Sequence, residues 1–217
     1  MQEKVGILGS GMVGQALCKG FIEKDYEVKI GSRTPGKLND FINSLNSDKL
    51  SSGDFKETAE FGDIIVFCVK GTEIENTINV AGKENFSNKI IVDVTNPLLF
   101  TEEGKAPTLA NSYPDSNGKK IQDLLNESMV VKAFNTIPSN YMCNPKLEEG
   151  NPSLFICGND ADAKKQIDKV ARVWGWSDIV DLGNIEESYL LEALAMIYIK
   201  FAFKNNSWSH AFKLLKK

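Results

Sequence analysis

Histidine is almost absent from this sequence, in which His210 is the only one among 217 residues. This scarcity disfavours mechanisms that need a Ser-His-Asp or Cys-His pair, and it disfavours a zinc site. Cysteines are also few, and no two have CxxC spacing: they are Cys18, Cys68, Cys143 and Cys157. We therefore interpret the cysteines as small packed side chains, and we predict neither a disulfide framework nor a metal centre.

Long hydrophobic runs and an excess of positive charge are missing as well. The most apolar window, residues 189–203, is interrupted by Glu192 and Lys200, and it is shorter than the roughly 20 apolar residues that span a bilayer. The sequence does not start with the basic and apolar pattern of a leader peptide. With 25 basic and 29 acidic residues the net charge is −4, which disfavours a nucleic-acid partner. These absences predict a cytoplasmic protein without membrane or nucleic-acid partners.

The sequence does contain a regular alternation of short β-branched runs and longer helical stretches, typical of parallel βαβ units. It predicts a Rossmann-type doubly wound α/β fold, with a mainly parallel sheet and a small C-terminal helical element. Strands are predicted at 4–8, 27–31, 64–69, 89–94, 129–134, 153–157 and 178–181, with a weaker one near 50–55. Helices are predicted at 12–24, 35–45, 73–82, 119–126, 160–174 and 185–205, with room for a short helix afterwards. The polar segment 100–118 is long enough to suggest a functional loop.

A glycine-rich turn follows the first predicted strand. Residues 9–14 read GSGMVG, a GxGxxG pattern between a buried strand and a helix. Here Gly9 allows a tight turn, Gly11 lets the backbone approach a pyrophosphate, and Gly14 lets the helix pack closely on the strand. Free amide groups at the helix start, where Met12 and Val13 stand, can hold the phosphate. We therefore expect residues 1–183 to form a dinucleotide-binding domain and residues 184–217 the helical element.

The turn after the second predicted strand selects the dinucleotide. NAD-binding folds carry an Asp or Glu here, about 20 residues past the glycines, which accepts from the ribose 2′-hydroxyl. This turn instead has two cations, Arg33 and Lys37, and two hydroxyls, Ser32 and Thr34. Arg33 can stack on the adenine and grip a 2′-phosphate, and Lys37 adds a second positive charge. The turn predicts NADP(H) as the cofactor.

Four segments carry a family resemblance: GSGMVGQAL at 9–17, GSRTPGK at 31–37, DVTNPL at 93–98 and VVKAFNTI at 130–137. Together they resemble the coenzyme F420-dependent NADP oxidoreductase family. The sequence is also similar to the NADPH:flavin reductase domain of membrane ferric reductases and, more distantly, to pyrroline-5-carboxylate reductase. The likeness extends into the C-terminal segment, residues 181–195, so it covers nearly the whole chain.

The resemblance implies a site for two ligands. It implies that the glycine loop, with Ser10, holds the pyrophosphate and that Ser32, Arg33 and Lys37 hold the 2′-phosphate. The loops after the fourth, fifth and sixth strands would then surround the nicotinamide and a tricyclic ring, with these candidate residues: Cys68, Val69, Lys70, Asn96, Pro97, Asn135 and Thr136. Segment 68–72 departs from the family's apolar or proline-bearing stretch, and Asn135 stands where deazaflavin-using members often carry histidine. The second ligand is therefore left open between F420, FMN and FAD.

Hydride transfer between two planar rings asks little of protein acids and bases, because the cofactors carry the chemistry. We therefore predict no catalytic side chain, and we interpret Cys68 as packed and inert. Two other hypotheses stay open. Reduction of a small imine or carbonyl substrate would need a catalytic lysine on a longer C-terminal helical domain. A non-catalytic NADPH sensor would use the same pocket.

The C-terminal helical stretch predicts a homodimer. Of residues 189–203, only Glu192 and Lys200 are charged, so apolar side chains surround the helix. Such a helix must be buried on more than one side. A second copy of the chain is the simplest cover for a face that the sheet does not reach.

Overall fold

An eight-stranded sheet forms the centre of the fold in the computed structural model, which describes residues 3–216. The strands are β1 (Val5–Leu8), β2 (Val28–Gly31), β3 (Leu50–Gly53), β4 (Ile64–Phe67), β5 (Ile90–Asp93), β6 (Leu98–Leu99), β7 (Thr108–Leu109), β8 (Met129–Lys132), β9 (Ser153–Gly158) and β10 (Asp178–Asp181). The sheet order is β10-β9-β8-β5-β4-β1-β2-β3, and β6 pairs with β7 in a separate hairpin. Strands β8 and β9 pair antiparallel, whereas the other neighbours in the large sheet are parallel.

Helices cover both faces of this sheet. They are α1 (Met12–Ile22), α2 (Asn39–Leu45), α3 (Phe55–Phe61), α4 (Ile74–Ala81), α5 (Asn117–Leu124), α6 (Ser139–Met142), α7 (Ala161–Val173) and α8 (Ser188–Asn205). Ile7 and Val66 point to the face covered by α1 and α7, whereas Leu8 and Phe67 point to the face covered by α3 and α4. The arrangement confirms the predicted doubly wound, mainly parallel class.

Local sequence explains where the best-predicted elements begin and end. All residues of β1 and β4 are buried, as expected for short β-branched runs in a parallel sheet covered on both faces. Helix α7 begins after Asp160, whose side chain accepts a hydrogen bond from the backbone N–H of Ala163 at 2.7 Å. That contact satisfies one of the free amide groups of the first turn.

Three helical or strand predictions need correction. The weak strand near 50–55 ends at Gly53 because Asp54 caps α3, a helix that the pattern analysis missed. The strand expected at 129–134 ends at Lys132, and Phe134 has a left-handed φ of 61°. Residues 206–216 form no helix, so the short helix after α8 is absent from the described chain.

The segment 100–118 is only partly a loop. It contains β7 and the start of α5, whose N-cap is Ser116. The hairpin β6–β7 packs Leu98 and Leu109 against apolar residues of α8. This contact ties the segment to the C-terminal helix rather than leaving it free over the sheet.

Helix α8 is the last helix of the described chain, and it confirms the predicted C-terminal helical element. Among residues 3–216, none of the helices has both the length and the hydropathy required to cross a membrane. The division of the chain at residue 183 stays a prediction.

Candidate functional site

The loops after β1, β2 and β4 meet at the carboxyl edge of the sheet. The backbone N–H of Gly9 donates to the carbonyl of Gly31 at 3.0 Å, and the N–H of Cys68 donates to the carbonyl of Leu8 at 2.8 Å. The three loops therefore lie side by side, at the edge where open α/β sheets bind ligands.

The glycine turn has the geometry that a nucleotide cradle requires. Gly9 adopts φ 127°, which favours glycine. A Cβ on Gly14 would lie 2.0 Å from the carbonyl oxygen of Gly9, whereas a Cβ on Gly11 would meet no atom within 4 Å. Gly11 is the N-cap of α1 and offers no side-chain hydrogen bond, so amide groups of the first turn stay available to an anion.

The turn after β2 holds its hydroxyl groups in a small network. The buried Ser32 Oγ accepts from Ser10 Oγ at 3.3 Å and from the backbone N–H of Thr34 at 3.2 Å. Arg33 and Lys37 are exposed beside it. Within residues 3–216 neither cation is engaged in an ion pair. Both positive charges are therefore free to meet a phosphate.

These turns open into a cleft of about 420 Å³, here called the first cavity. Its lining comprises Gly9, Ser10, Gly11, Ser32, Arg33, Thr34, Lys37, Phe55, Cys68, Val69, Lys70, Glu73, Asn76 and Thr77. Three cations and one carboxylate line this space, together with the open side of Gly11. The residues fit the adenosine, 2′-phosphate and pyrophosphate of NADP(H), since cations and free amides match phosphate chemistry.

A second cavity of about 470 Å³ adjoins the first. Its lining comprises Val13, Cys68, Val69, Lys70, Gly71, Thr72, Val94, Thr95, Asn96, Leu98, Leu99 and Phe100. The two cavities share Cys68, Val69 and Lys70, which follow β4. The lining of the second cavity contains no carboxylate and no histidine, and more than half of it is aliphatic, aromatic or sulfur-bearing. It is suited to a flat, largely apolar ring.

Cys68 stands between the two cavities. Burial raises the pKa of its thiol far above the ordinary value, and the negative charge of Asp93 adds to the effect. A thiol that stays protonated at neutral pH is a poor nucleophile. The raised pKa favours the predicted packing role of Cys68, which stays a prediction.

Four predicted site residues lie away from both linings. Met12 is 83% exposed, whereas Pro97, Asn135 and Thr136 are buried. Asn135 connects the loop after β5 with helix α8, since its Nδ2 donates to Asn96 Oδ1 at 2.9 Å and to the Leu191 carbonyl at 3.0 Å. The Nδ2 of Asn96 returns a hydrogen bond to the Asn135 carbonyl at 2.9 Å.

A buried charged cluster behind the second cavity was missed by the sequence analysis. Lys132 Nζ donates to Asp93 Oδ2 at 2.8 Å, to Glu192 Oε1 at 2.8 Å and to the Thr95 carbonyl at 2.6 Å. The side chains of Asp93, Lys132 and Glu192 are all fully buried. One signal was readable: a charged residue ends each of two otherwise apolar strands, β5 and β8.

Burial controls the protonation of this cluster. It is the main cause of the raised pKa of Glu192, which the neighbouring Lys132 opposes. Burial also lowers the pKa of Lys132, but the two carboxylates outweigh it and the net direction is upward. A charged lysine therefore faces two carboxylates, of which Glu192 holds its proton more tightly than an exposed glutamate does.

The fold and the glycine turn at the carboxyl edge of its sheet are those of an α/β protein that binds a dinucleotide. Comparisons with known proteins give the family. The family model described as "NADP oxidoreductase coenzyme F420-dependent" matches residues 4–97. A crystal structure assigned as an F420-dependent NADP-reductase of Arthrobacter sp. FB24 superposes with a TM-score of 0.92 at 30% identity, covering 99% of this chain and 100% of that chain. This chain belongs to the F420-dependent NADP oxidoreductase family, and it is an NADP-dependent oxidoreductase.

Two curated relatives show how far the likeness reaches. The F420-dependent NADP reductase of Methanocaldococcus jannaschii is 29% identical over 94% of this chain and 94% of its own length. Metalloreductase STEAP3 of Rattus norvegicus is 28% identical over 89% of this chain, which spans only 36% of that protein. An imine reductase of Aspergillus terreus has a TM-score of 0.67 at 15% identity, covering 95% of this chain and 64% of that chain, a likeness of fold alone.

Proposed function

We propose that this protein transfers a hydride between NADPH in the first cavity and a tricyclic flavin or deazaflavin ring in the second. The observation that carries the proposal is the shared wall of Cys68, Val69 and Lys70. A nucleotide that follows the first cavity past this wall brings its nicotinamide to the second cavity. The family name and the M. jannaschii relative support F420 as one acceptor, and FMN and FAD are the flavin candidates.

The composition of the second cavity supports a ring rather than a carbonyl or imine substrate. Reduction of a carbonyl or imine needs a proton donor within hydrogen-bond reach. Lys70 is the one candidate proton donor in this lining, because the raised pKa of the Cys68 thiol makes it a weak acid. A tricyclic ring needs an apolar slot with polar groups at its rim. Val94 and Leu98 supply apolar wall, and Asn96 supplies a polar rim.

The role of the chain in this reaction is to position two rings and to exclude water. NADPH supplies the hydride from its nicotinamide C4, and the reduced tricyclic ring also takes up one proton, which solvent can provide. Ser10 and Arg33 would hold the phosphates, whereas Val69 and Asn96 would border the rings. Leu99 and Phe100 are 43% and 66% exposed at the edge of the second cavity. With the exposed residues 101–105 they would order over the rings as a lid, whereas β7 and the start of α5 stay packed against α8.

Rapid mixing tests the proposal. The protein is mixed with NADPH and, in separate reactions, FMN, FAD or F420, and the bleaching of the acceptor is followed against a protein-free control. We expect at least one acceptor to be reduced well above the uncatalysed rate. Reduction of a small imine or carbonyl compound, without reduction of any tricyclic acceptor, would contradict the proposed acceptor. NADPH binding without reduction of either class would indicate a sensor.

A further inference from the structure

The charged cluster formed by Asp93, Lys132 and Glu192 surrounds one residue of the second cavity, Thr95. Lys132 Nζ donates to the Thr95 carbonyl at 2.6 Å. Asp93 Oδ1 accepts from the backbone N–H of Thr95 at 2.9 Å and from its hydroxyl at 2.7 Å. Every polar group of Thr95 is thus bound by the cluster. Its position is held by two buried charges, one close in the sequence and one on β8.

A second wall of the same cavity is tied to the cluster through Asn117. The backbone N–H of Asn117 donates to Glu192 Oε1 at 2.8 Å. Its side-chain Nδ2 donates to Thr95 Oγ1 at 3.0 Å and to the Gly71 carbonyl at 2.9 Å. Both Thr95 and Gly71 line the second cavity. Glu192, on the C-terminal helix, therefore holds Asn117, and Asn117 holds two separate loops.

Burying this cluster costs more desolvation free energy than an apolar contact at the same place would cost. Three fully buried ionisable groups carry large desolvation penalties, which apolar residues of similar volume would avoid. Two carboxylates share one lysine, and Glu192 Oε2 has no hydrogen-bond partner among the described residues. Because hydrogen bonds are directional, a buried polar cluster fixes the relative positions of its partners, whereas an apolar contact would let them shift against each other.

We propose that Glu192 is a positioning residue for the second ligand, acting through Lys132 and Asn117 on the walls Thr95 and Gly71. The inference rests on the proposed function, since it assigns a determinant of acceptor binding in the same site. Glu192 itself does not line either cavity. Its contribution is to hold the loop after β5 at a fixed distance from the loop after β4.

Two substitutions of one residue separate positioning from general stability. Glu192→Gln retains the Oε1 acceptor for Asn117 and Lys132. Glu192→Leu removes that acceptor but leaves Lys132 paired one to one with Asp93, so no uncompensated charge is buried. Glu186→Leu is the control, because it removes an exposed carboxylate next to the same helix.

We expect Glu192→Leu to lower kcat/KM for the tricyclic acceptor by about 10- to 100-fold, mainly through KM, because the loops that hold the ring are displaced. The NADPH dissociation constant should stay close to that of the wild type. Glu192→Gln should recover most of this loss, and Glu186→Leu should cause none. Amide hydrogen exchange gives a readout that is independent of activity: the N–H of Asn117 should exchange faster in Glu192→Leu and not in Glu192→Gln.

Other results overturn the proposal. Unchanged acceptor kinetics in Glu192→Leu would show that the walls do not need Glu192. Equal losses in the Gln and Leu variants would assign the effect to charge rather than to position, and a parallel loss of NADPH affinity would show a purely structural role. If the wild type reduces no tricyclic acceptor, the proposed function fails. The exchange experiment then still decides whether Glu192 holds Asn117 at the start of α5.

Discussion

Half of the lining of the first cavity comes from two short turns, whereas the second cavity takes its shape from elements that are far apart in the sequence. Residues 9–11 and 32–37 include two of the three cations of the first cavity, Arg33 and Lys37, and the open side of Gly11. The walls of the second cavity are held by Asn117, Lys132 and Glu192, which stand on α5, β8 and α8. The comparison teaches that the groups expected to hold NADP(H) are encoded locally, whereas the shape of the second cavity depends on tertiary contacts.

The largest effect is expected from the glycine turn, where Gly14 is needed for packing and Gly11 leaves space for the cofactor. Gly14→Val should destabilise the fold by about 1–3 kcal/mol or more, because its Cβ would overlap the Gly9 carbonyl. Gly11→Ala should leave unfolding almost unchanged, since its Cβ meets open space, yet weaken NADPH binding by about tenfold or more, which is about 1.4 kcal/mol. Urea unfolding and NADPH fluorescence titration measure the two effects. A stable Gly14→Val protein with normal NADPH affinity would refute the close-packing role.

Arg33→Ala should change cofactor choice without affecting the second cavity. Hydrogen bonds to charged groups contribute roughly 1.5–3 kcal/mol each, so NADPH affinity should fall by about 10- to 100-fold while NADH affinity stays nearly constant. Titration with both nucleotides measures the ratio. Arg172→Ala is the matched control, because this exposed arginine pairs with Asp168 on α7. Equal losses for NADPH and NADH would show that Arg33 acts by packing on the adenosine.

The outer face of α8 should determine the oligomeric state. Leu190, Ile197 and Phe201 are 50%, 60% and 51% exposed, and they follow helical spacing on one side. We propose that this stripe contacts a second copy of the chain. Light scattering at micromolar concentration should give the mass of a dimer for the wild type and half that mass for Ile197→Glu/Phe201→Glu. A monomeric wild type would contradict the proposal.

The smallest effect expected is a pH-dependent change in stability on Glu192→Gln. Because the folded-state pKa of Glu192 is raised from 4.5, its stabilising contribution is present below that value. It is lost as the pH rises towards the folded-state pKa, while the unfolded state has already released its proton. A glutamine side chain at this position does not titrate, so the variant should gain stability relative to the wild type between acidic and neutral pH.

Urea unfolding at three pH values, one acidic, one near neutral and one alkaline, measures this difference. Asp93 and Lys132 are the charged neighbours of Glu192, and both are present in the two proteins. A stability difference that is constant across the three pH values would show that folding does not raise the pKa of Glu192.

Much of the fold followed from sequence pattern because its signals are local. The GxGxxG turn, the β-branched runs and the Asp160 cap each depend on a few adjacent residues. Helix α3 had a local signal that the pattern analysis did not use: Asp54 and Glu57 form a capping box, in which each side chain accepts from the other residue's backbone N–H. The hairpin β6–β7 had no such signal, since its two-residue strands are held by packing on α8.

The sequence by itself determined the alternation of strands and helices, the glycine turn and the cationic turn that favours NADP(H), since each is encoded within one βαβ unit. Only the tertiary structure decided that Asn135 hydrogen-bonds to Asn96 and that Lys132 forms ion pairs with Asp93 and Glu192. Those pairings join residues 39 to 60 positions apart. Their partners are chosen by the register of β5 with β8 and by the docking of α8, which no short segment specifies. A buried charge must find its counter-charge through the fold, because the free energy of leaving it unpaired is prohibitive.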